Sequence, residues 1–208
     1  MFDSIYASEL EISEIERYKC VMFVNAYMQT PEKREKYRRI TAGKTRIWLY
    51  AEGYCDGKTL SENNLSETVG INLKRSEGSG KLIGCGLLDG VTADLPKDAL
   101  NPFFTVDDPG AIPLGRLENG EICAAMKCAE DGSTDIWLVT PKLTRELIGP
   151  IIKQFGAHIW CGSGDPVLAC GGFAAINSPE GGRRVLTLPD GQEIALDLKP
   201  YTTEIVEY

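Results

Sequence analysis

The chain has 208 residues, 43% of them hydrophobic and 25% charged. That ordinary globular mixture excludes collagen-like, coiled-coil and largely disordered states and leaves room for one sizeable core plus a small satellite domain. Lys plus Arg number 22 and Asp plus Glu 30, for a formal net charge of −8; diffuse acidity does not grip phosphate backbones, so no nucleic-acid partner is expected.

The longest apolar runs, Cys20 to Val24 and Ile47 to Tyr50, are too short to cross a bilayer, so no membrane partner is expected. The opening MFDSIYASELEIS shows neither a basic segment nor the apolar core of a secretory signal, which predicts a cytoplasmic location. Tyr18 to Asn25 (YKCVMFVN) suits a strand buried on both faces. Thr30 and Pro31 then read as the N-cap and first residue of a charged surface helix ending before Gly43. Thr45 to Ala51 (TRIWLYA) is a second buried strand, and Ser61 caps a helix that stops near Gly70. Strand, helix, strand, helix with short connections predicts an α/β layer fold with a mostly parallel sheet. From Gly78 to Asn119 glycine and proline recur, which predicts short strands and loops. Ile122 to Cys128 and Thr134 to Val139 read as strands, and Thr144 to Phe155 as a helix kinked or broken at Pro150. Beyond a boundary near Gly162 to Gly164 only strand and turn signals remain, which predicts a small all-β appendage.

Seven cysteines, an odd number with several in apolar stretches, point to a reducing compartment. Cys123 and Cys128 have no second ligand pair, so no metal site is expected. Gly53-Tyr54-Cys55-Asp56-Gly57 has the G-x-C-x-G form of a nucleophile elbow, and His158, the single histidine, is the candidate base. The register is poor, because the strand is complete by Tyr50 or Ala51 and Cys55 falls about a turn too late. Glu52 lies just past a buried strand, where open α/β sheets bind ligands, but a glycosidase needs two carboxyls at a set separation. Asp107-Asp108 before Pro109-Gly110 reads as a turn. Gly78-Ser79-Gly80-Lys81 lacks the rest of a phosphate loop, and Gly162-Ser163-Gly164-Asp165 has no helix behind it. Trp48, Tyr50, Tyr54, Trp137 and Trp160 are either core packing or a sugar-stacking platform, with core packing favoured.

Six segments together resemble one family: YKCVMFVNAY (18–27), TRIWLYAEGY (45–54), NLSETVGINL (64–73), NPFFTVDDPGAIPLG (101–115), GAHIWCGSGDPVLA (156–169) and TLPDGQEIALDL (187–198). They are similar to the region that follows the catalytic barrel in β-galactosidase-like glycoside hydrolases. The resemblance implies a class I glutamine-amidotransferase-like, flavodoxin-like trimerisation domain over residues 1–162, a three-layer sandwich truncated at its N-terminus. A small β-sandwich-like domain over 163–208 would follow. It implies no cofactor and no catalytic residue here, since the family's two catalytic glutamates lie on the barrel; the amidotransferase nucleophile position corresponds to Ala51. Where the family commonly reads Y-A-P-G-Y, this chain has Tyr50-Ala51-Glu52-Gly53-Tyr54, which leaves Glu52 and Tyr54 as candidates for the rim of a neighbouring active site. The expected role is a non-catalytic accessory and oligomerisation region, with self-association or a glycoside hydrolase barrel as partner. The alternatives are a stand-alone carbohydrate-binding or regulatory module and a Cys55-dependent hydrolase or amidotransferase.

Overall fold

The computed structural model describes residues 3–10, 15–78, 80–95 and 100–208. Phe2, residues 11–14 of the opening segment and Ser79 of the Gly78–Lys81 turn lie outside them. The described residues form fourteen strands and three α-helices, arranged in two compact units.

The larger unit, Ile5–Phe155, begins with a single 3-10 turn, Ala7–Glu9. Strand β1 (Cys20–Phe23) leads into helix α1 (Pro31–Ile40) and returns as β2 (Thr45–Leu49). Thr30 caps α1 by accepting the Lys33 amide at 3.4 Å, with Pro31 in the first turn where no amide donor is needed. The spacing Arg34, Tyr37, Ile40 is its buried stripe. Helix α2 (Glu62–Val69) is capped by Ser61, which accepts the Asn64 amide at 3.1 Å, and stops at Gly70 in the left-handed conformation. β3 (Leu73–Ser76) pairs with β6 (Phe103–Val106) as a separate ribbon. β4 (Gly80–Gly84), β5 (Thr92–Leu95), β7 (Ile112–Arg116), β8 (Ile122–Cys128) and β9 (Thr134–Leu138) join the main sheet, in the order β1-β2-β9-β8-β7-β4-β5. Helix α3 (Arg145–Gln154) carries Pro150 and continues past it for four residues.

The flavodoxin-like three-layer α/β sandwich is therefore corrected: the chain is mostly β, and its seven-stranded sheet is mixed and curls into a half-barrel. Only β1, β2 and β9 run parallel; β8, β7, β4 and β5 are joined antiparallel. The reason lies in the connections. A parallel neighbour needs a crossover of about a dozen residues, usually a helix. The connections through β4 to β9 include tight turns with Gly90, Gly120 and Gly132 at positive φ, which return the chain antiparallel. The amidotransferase-like description falls with the three-layer sandwich.

The smaller unit, Gly156–Tyr208 joined by Asp3 and Ser4, holds strands alone. β10 (Val167–Cys170), β11 (Phe173–Ser178) and β14 (Thr202–Glu207) form one antiparallel sheet, and β12 (Gly182–Thr187) pairs with β13 (Glu193–Leu198). Its small core includes Ala169, Ala174, Leu186 and Leu188.

One buried ion pair ties the parallel part of the larger unit together. Arg46 on β2 and Asp135 on β9 are register partners with 0% and 1% exposure. Arg46 Nε and one terminal nitrogen donate to the two Asp135 oxygens at 2.8 and 3.0 Å, and Trp48 Nε1 donates to the same carboxylate at 2.8 Å. Arg46 also reaches Asp131 at 3.0 Å. Arg38 of α1 approaches Asp135 at 3.4 Å and donates to the Thr68 carbonyl of α2 at 2.8 Å. Phe23 stacks on Trp48 at 4.1 Å, on the same face. Removing one charge leaves the other buried with a single, less buried counter-ion, Asp131 for Arg46 or Arg38 for Asp135. Asp135→Leu should cost about 3–5 kcal/mol, read by urea denaturation of the whole chain, and adding Arg46→Met should restore most of that loss. Equal stability of Asp135→Leu and the native chain would contradict the assignment.

Candidate functional site at the carboxyl ends of β1 and β2

Adjacent parallel strands bring their carboxyl ends side by side, the usual ligand side of such sheets. Both strands here are turned off by a residue in the left-handed conformation, Asn25 (φ 58°) after β1 and Tyr50 (φ 52°) after β2. Tyr50 is clamped to β9: its amide donates to the Leu138 carbonyl at 2.7 Å, and Trp137 Nε1 donates to its carbonyl at 2.8 Å. The two segments then pair again. Gly53 N–H donates to Ala26 O at 2.9 Å, Cys55 N–H to Tyr27 O at 3.0 Å and Gln29 N–H to Cys55 O at 2.8 Å. Gly53 has φ 75°, and a Cβ there would stand 1.9 Å from Thr68 Oγ1. Only glycine lets this turn lie so close to α2.

Glu52 sits inside this double turn with 0% exposure and no hydrogen-bond partner for either carboxyl oxygen. Burial pushes its pKa up to about 7; the backbone amides of Asn25 and Ala26 favour the carboxylate only in part. Tyr27 feels its charge, and Tyr50 and Tyr54 flank it in sequence. Tyr27 is 40% exposed and donates its hydroxyl to Asn25 Oδ1 at 3.1 Å; its pKa is raised by burial and then by the Glu52 charge. Tyr50 donates to the Pro102 carbonyl at 2.8 Å. Tyr54 accepts a hydrogen bond from Arg75, whose Nε also meets Glu62 at 2.5 Å. Phe104 packs under both, with ring centroids 6.0 Å from Tyr50 and 5.2 Å from Tyr54. The arrangement holds one buried carboxyl beside the half-exposed Tyr27, while Glu62 is paired with Arg75.

The structure thus brings Glu52, Tyr54 and Cys55 into one turn. The Cys55 sulfur accepts the Gly57 amide at 3.3 Å. His158 belongs to the other unit, where its Nε2 donates to the Thr187 carbonyl at 2.8 Å and its ring meets Trp160 edge-on. Trp48, Trp137 and Tyr54 are buried as core. Asp108 accepts the Gly110 amide at 2.9 Å, the turn bond expected before Pro-Gly, and a Lys127 bond at 2.7 Å. Sequence reasoning missed Tyr27, Arg75 and Glu62. Tyr27 was reachable, since it follows closely on the first apolar run as Glu52 and Tyr54 follow closely on the second; Arg75 and Glu62 carry no local signal. Elsewhere on this unit an open pocket of 350 Å³ is lined by Leu87, Met126, Cys128, Thr134, Gln154 and Phe155. Among the described residues no group of three or more His, Cys, Asp or Glu could hold a metal ion, and no helix is long and apolar enough to cross a membrane.

No protein-family model matches the chain. No curated protein matches it either. Solved structures do. A GH42 β-galactosidase, Gan42B, superposes with a TM-score of 0.59 at 13% identity, over 93% of this chain and 32% of that one. The E323A catalytic mutant of Gan42B from G. stearothermophilus gives 0.58 at 13% identity, over 92% and 32%. The fold is thus that of part of a GH42 β-galactosidase chain, and the present chain spans about a third of the length of these structures.

Gly53→Ala should destabilise the larger unit by about 2–5 kcal/mol, because it adds a left-handed side chain and an overlap with Thr68. A denaturation midpoint equal to that of the native chain would show that the turn does not lie on α2.

Proposed function

We propose that this chain is a non-catalytic accessory and assembly region of a β-galactosidase-like glycoside hydrolase. The observation that carries this reading is the asymmetry of the match: 93% of this chain finds a counterpart, but that counterpart is 32% of Gan42B. The strand-end cluster agrees, because it offers one buried, uncharged-leaning carboxyl and no free partner for it. The post-barrel position, with the catalytic glutamates supplied by the barrel, is part of the proposal, as are oligomer contacts and a rim role for Tyr54. A Cys55 hydrolase finds less support, since the strand is complete before Cys55, which therefore falls too late for an elbow nucleophile.

The purified chain should not hydrolyse aryl β-galactosides, and Cys55→Ala should fold and assemble unchanged. Mixed with a GH42 barrel from which the matching region has been deleted, it should co-elute and restore oligomer formation. Turnover by the chain alone that disappears in Cys55→Ala would overturn the reading. Saturable galactoside binding by the chain alone, lost in Tyr54→Ala, would favour the free-standing carbohydrate module instead. Light scattering should show concentration-dependent self-association; a monodisperse monomer at high concentration would remove the assembly role.

A further inference from the structure

We propose that residues 25–29 form a proton-gated strap over Glu52, paired to residues 53–55 while Glu52 is neutral and released when it ionises. Three observations on the geometry support this. First, Glu52 is wholly buried and neither oxygen has a partner at hydrogen-bond distance, so the Asn25 and Ala26 amides offset only part of an ionised carboxylate's desolvation cost. Second, β1 is the outer strand of the main sheet, and the segment beyond it is tied to its neighbour by the three main-chain hydrogen bonds already described. Its outward side is open, with Val24, Tyr27 and Met28 at 56, 40 and 55% exposure. Third, Asn25 at φ 58° and Tyr50 at φ 52° bracket the segment and its partner, so the backbone is already turned sharply where a pivot is needed.

Of the groups around Glu52, the Asn25 and Ala26 amides favour an anion, but only in part, and burial outweighs them. From the strap come Tyr27, whose charge would repel it, the amides of Asn25 and Ala26, and the Gln29 side chain, which spends its NH₂ on Ala26 O at 3.1 Å and leaves its own buried oxygen unpaired. On its own segment the neighbouring titratable residues are Tyr50, Tyr54 and Cys55, whose hydrogen bonds go to Pro102, Arg75 and Gly57. Arg75, the cation of the cluster, is occupied by the Tyr54 hydroxyl and Glu62, and no cation contributes to the Glu52 titration. Opening the strap lets water solvate the carboxylate.

The sign is fixed by linkage. The closed form holds Glu52 at a pKa of about 7, against an ordinary value of 4.5. Closure is therefore favoured below pH 4.5, loses ground as pH rises to about 7, and is flat above that. For an opening that fully hydrates the carboxyl, the ratio of closed to open falls about 70-fold between pH 5 and pH 8.

Hydrogen exchange on the full chain tests this, with the rates corrected for intrinsic pH dependence. Protection of the Gln29, Gly53 and Cys55 amides should fall by up to that factor from pH 5 to pH 8, while amides of β8 and β9 stay constant. Glu52→Gln should abolish the pH dependence at those three amides. Constant protection across this range in the native chain would overturn the strap. So would a carboxyl titration of Glu52 followed by carbon NMR with its midpoint below pH 5, a measurement that needs no variant. Neither outcome bears on the accessory role proposed above.

Discussion

A charged pair at the centre of the parallel strands holds the larger unit in its arrangement. Arg46 and Asp135 face each other across β2 and β9, and each is saturated by further partners, Asp131 for the arginine and Trp48 with Arg38 for the aspartate. Such a pair contributes little net stability over apolar packing, but breaking half of it is costly. Its effect here is one of specification. Slipping β2 by one residue against β9 would move Arg46 to the opposite face, away from both its carboxylates, and leave Asp135 with Arg38 alone. Arg38 and the Thr68 carbonyl extend the constraint to both helices that follow the first two strands. Gly70 belongs to the same design, since a Cβ there would stand 2.7 Å from both Arg38 and Asp135.

With that register set, the strand ends follow. Tyr50 is clamped to β9 through Leu138 and Trp137, which places the next residues, Ala51 and Glu52, inward. The local cost is visible: two left-handed non-glycine residues, a glycine jammed against Thr68 and a carboxyl without a partner. These costs are offset by the packing and main-chain hydrogen bonds that hold the turn against α2 and β9.

Much of the element list was legible. The apolar runs at 18–25 and 45–51, the caps Thr30 and Ser61 and the stop at Gly70 were readable because each is a local matter of periodicity and hydrogen-bonding chemistry. Glu52 was legible as a strand-end acid. Its burial was not, because nothing in AEGY says that Ala26 and Tyr27, some 25 residues earlier, close over it. Arg46 and Asp135 illustrate the same gap. Each reads as a charge interrupting a strand until the two are seen to be register partners 89 residues apart.

The architecture went wrong for a related reason. One strand–helix–strand unit was real, and extending it to a whole sandwich assumed that the rest of the chain would repeat it. Sequence alone determined composition class, most strand and helix positions, the caps and the glycine turns, since these depend on residues a few positions apart. Tertiary structure decided the mixed sheet order, the pairing of Arg46 with Asp135 and the closure over Glu52. Those depend on which strands become neighbours, and that choice is made by the burial of whole faces against one another, which no local pattern encodes.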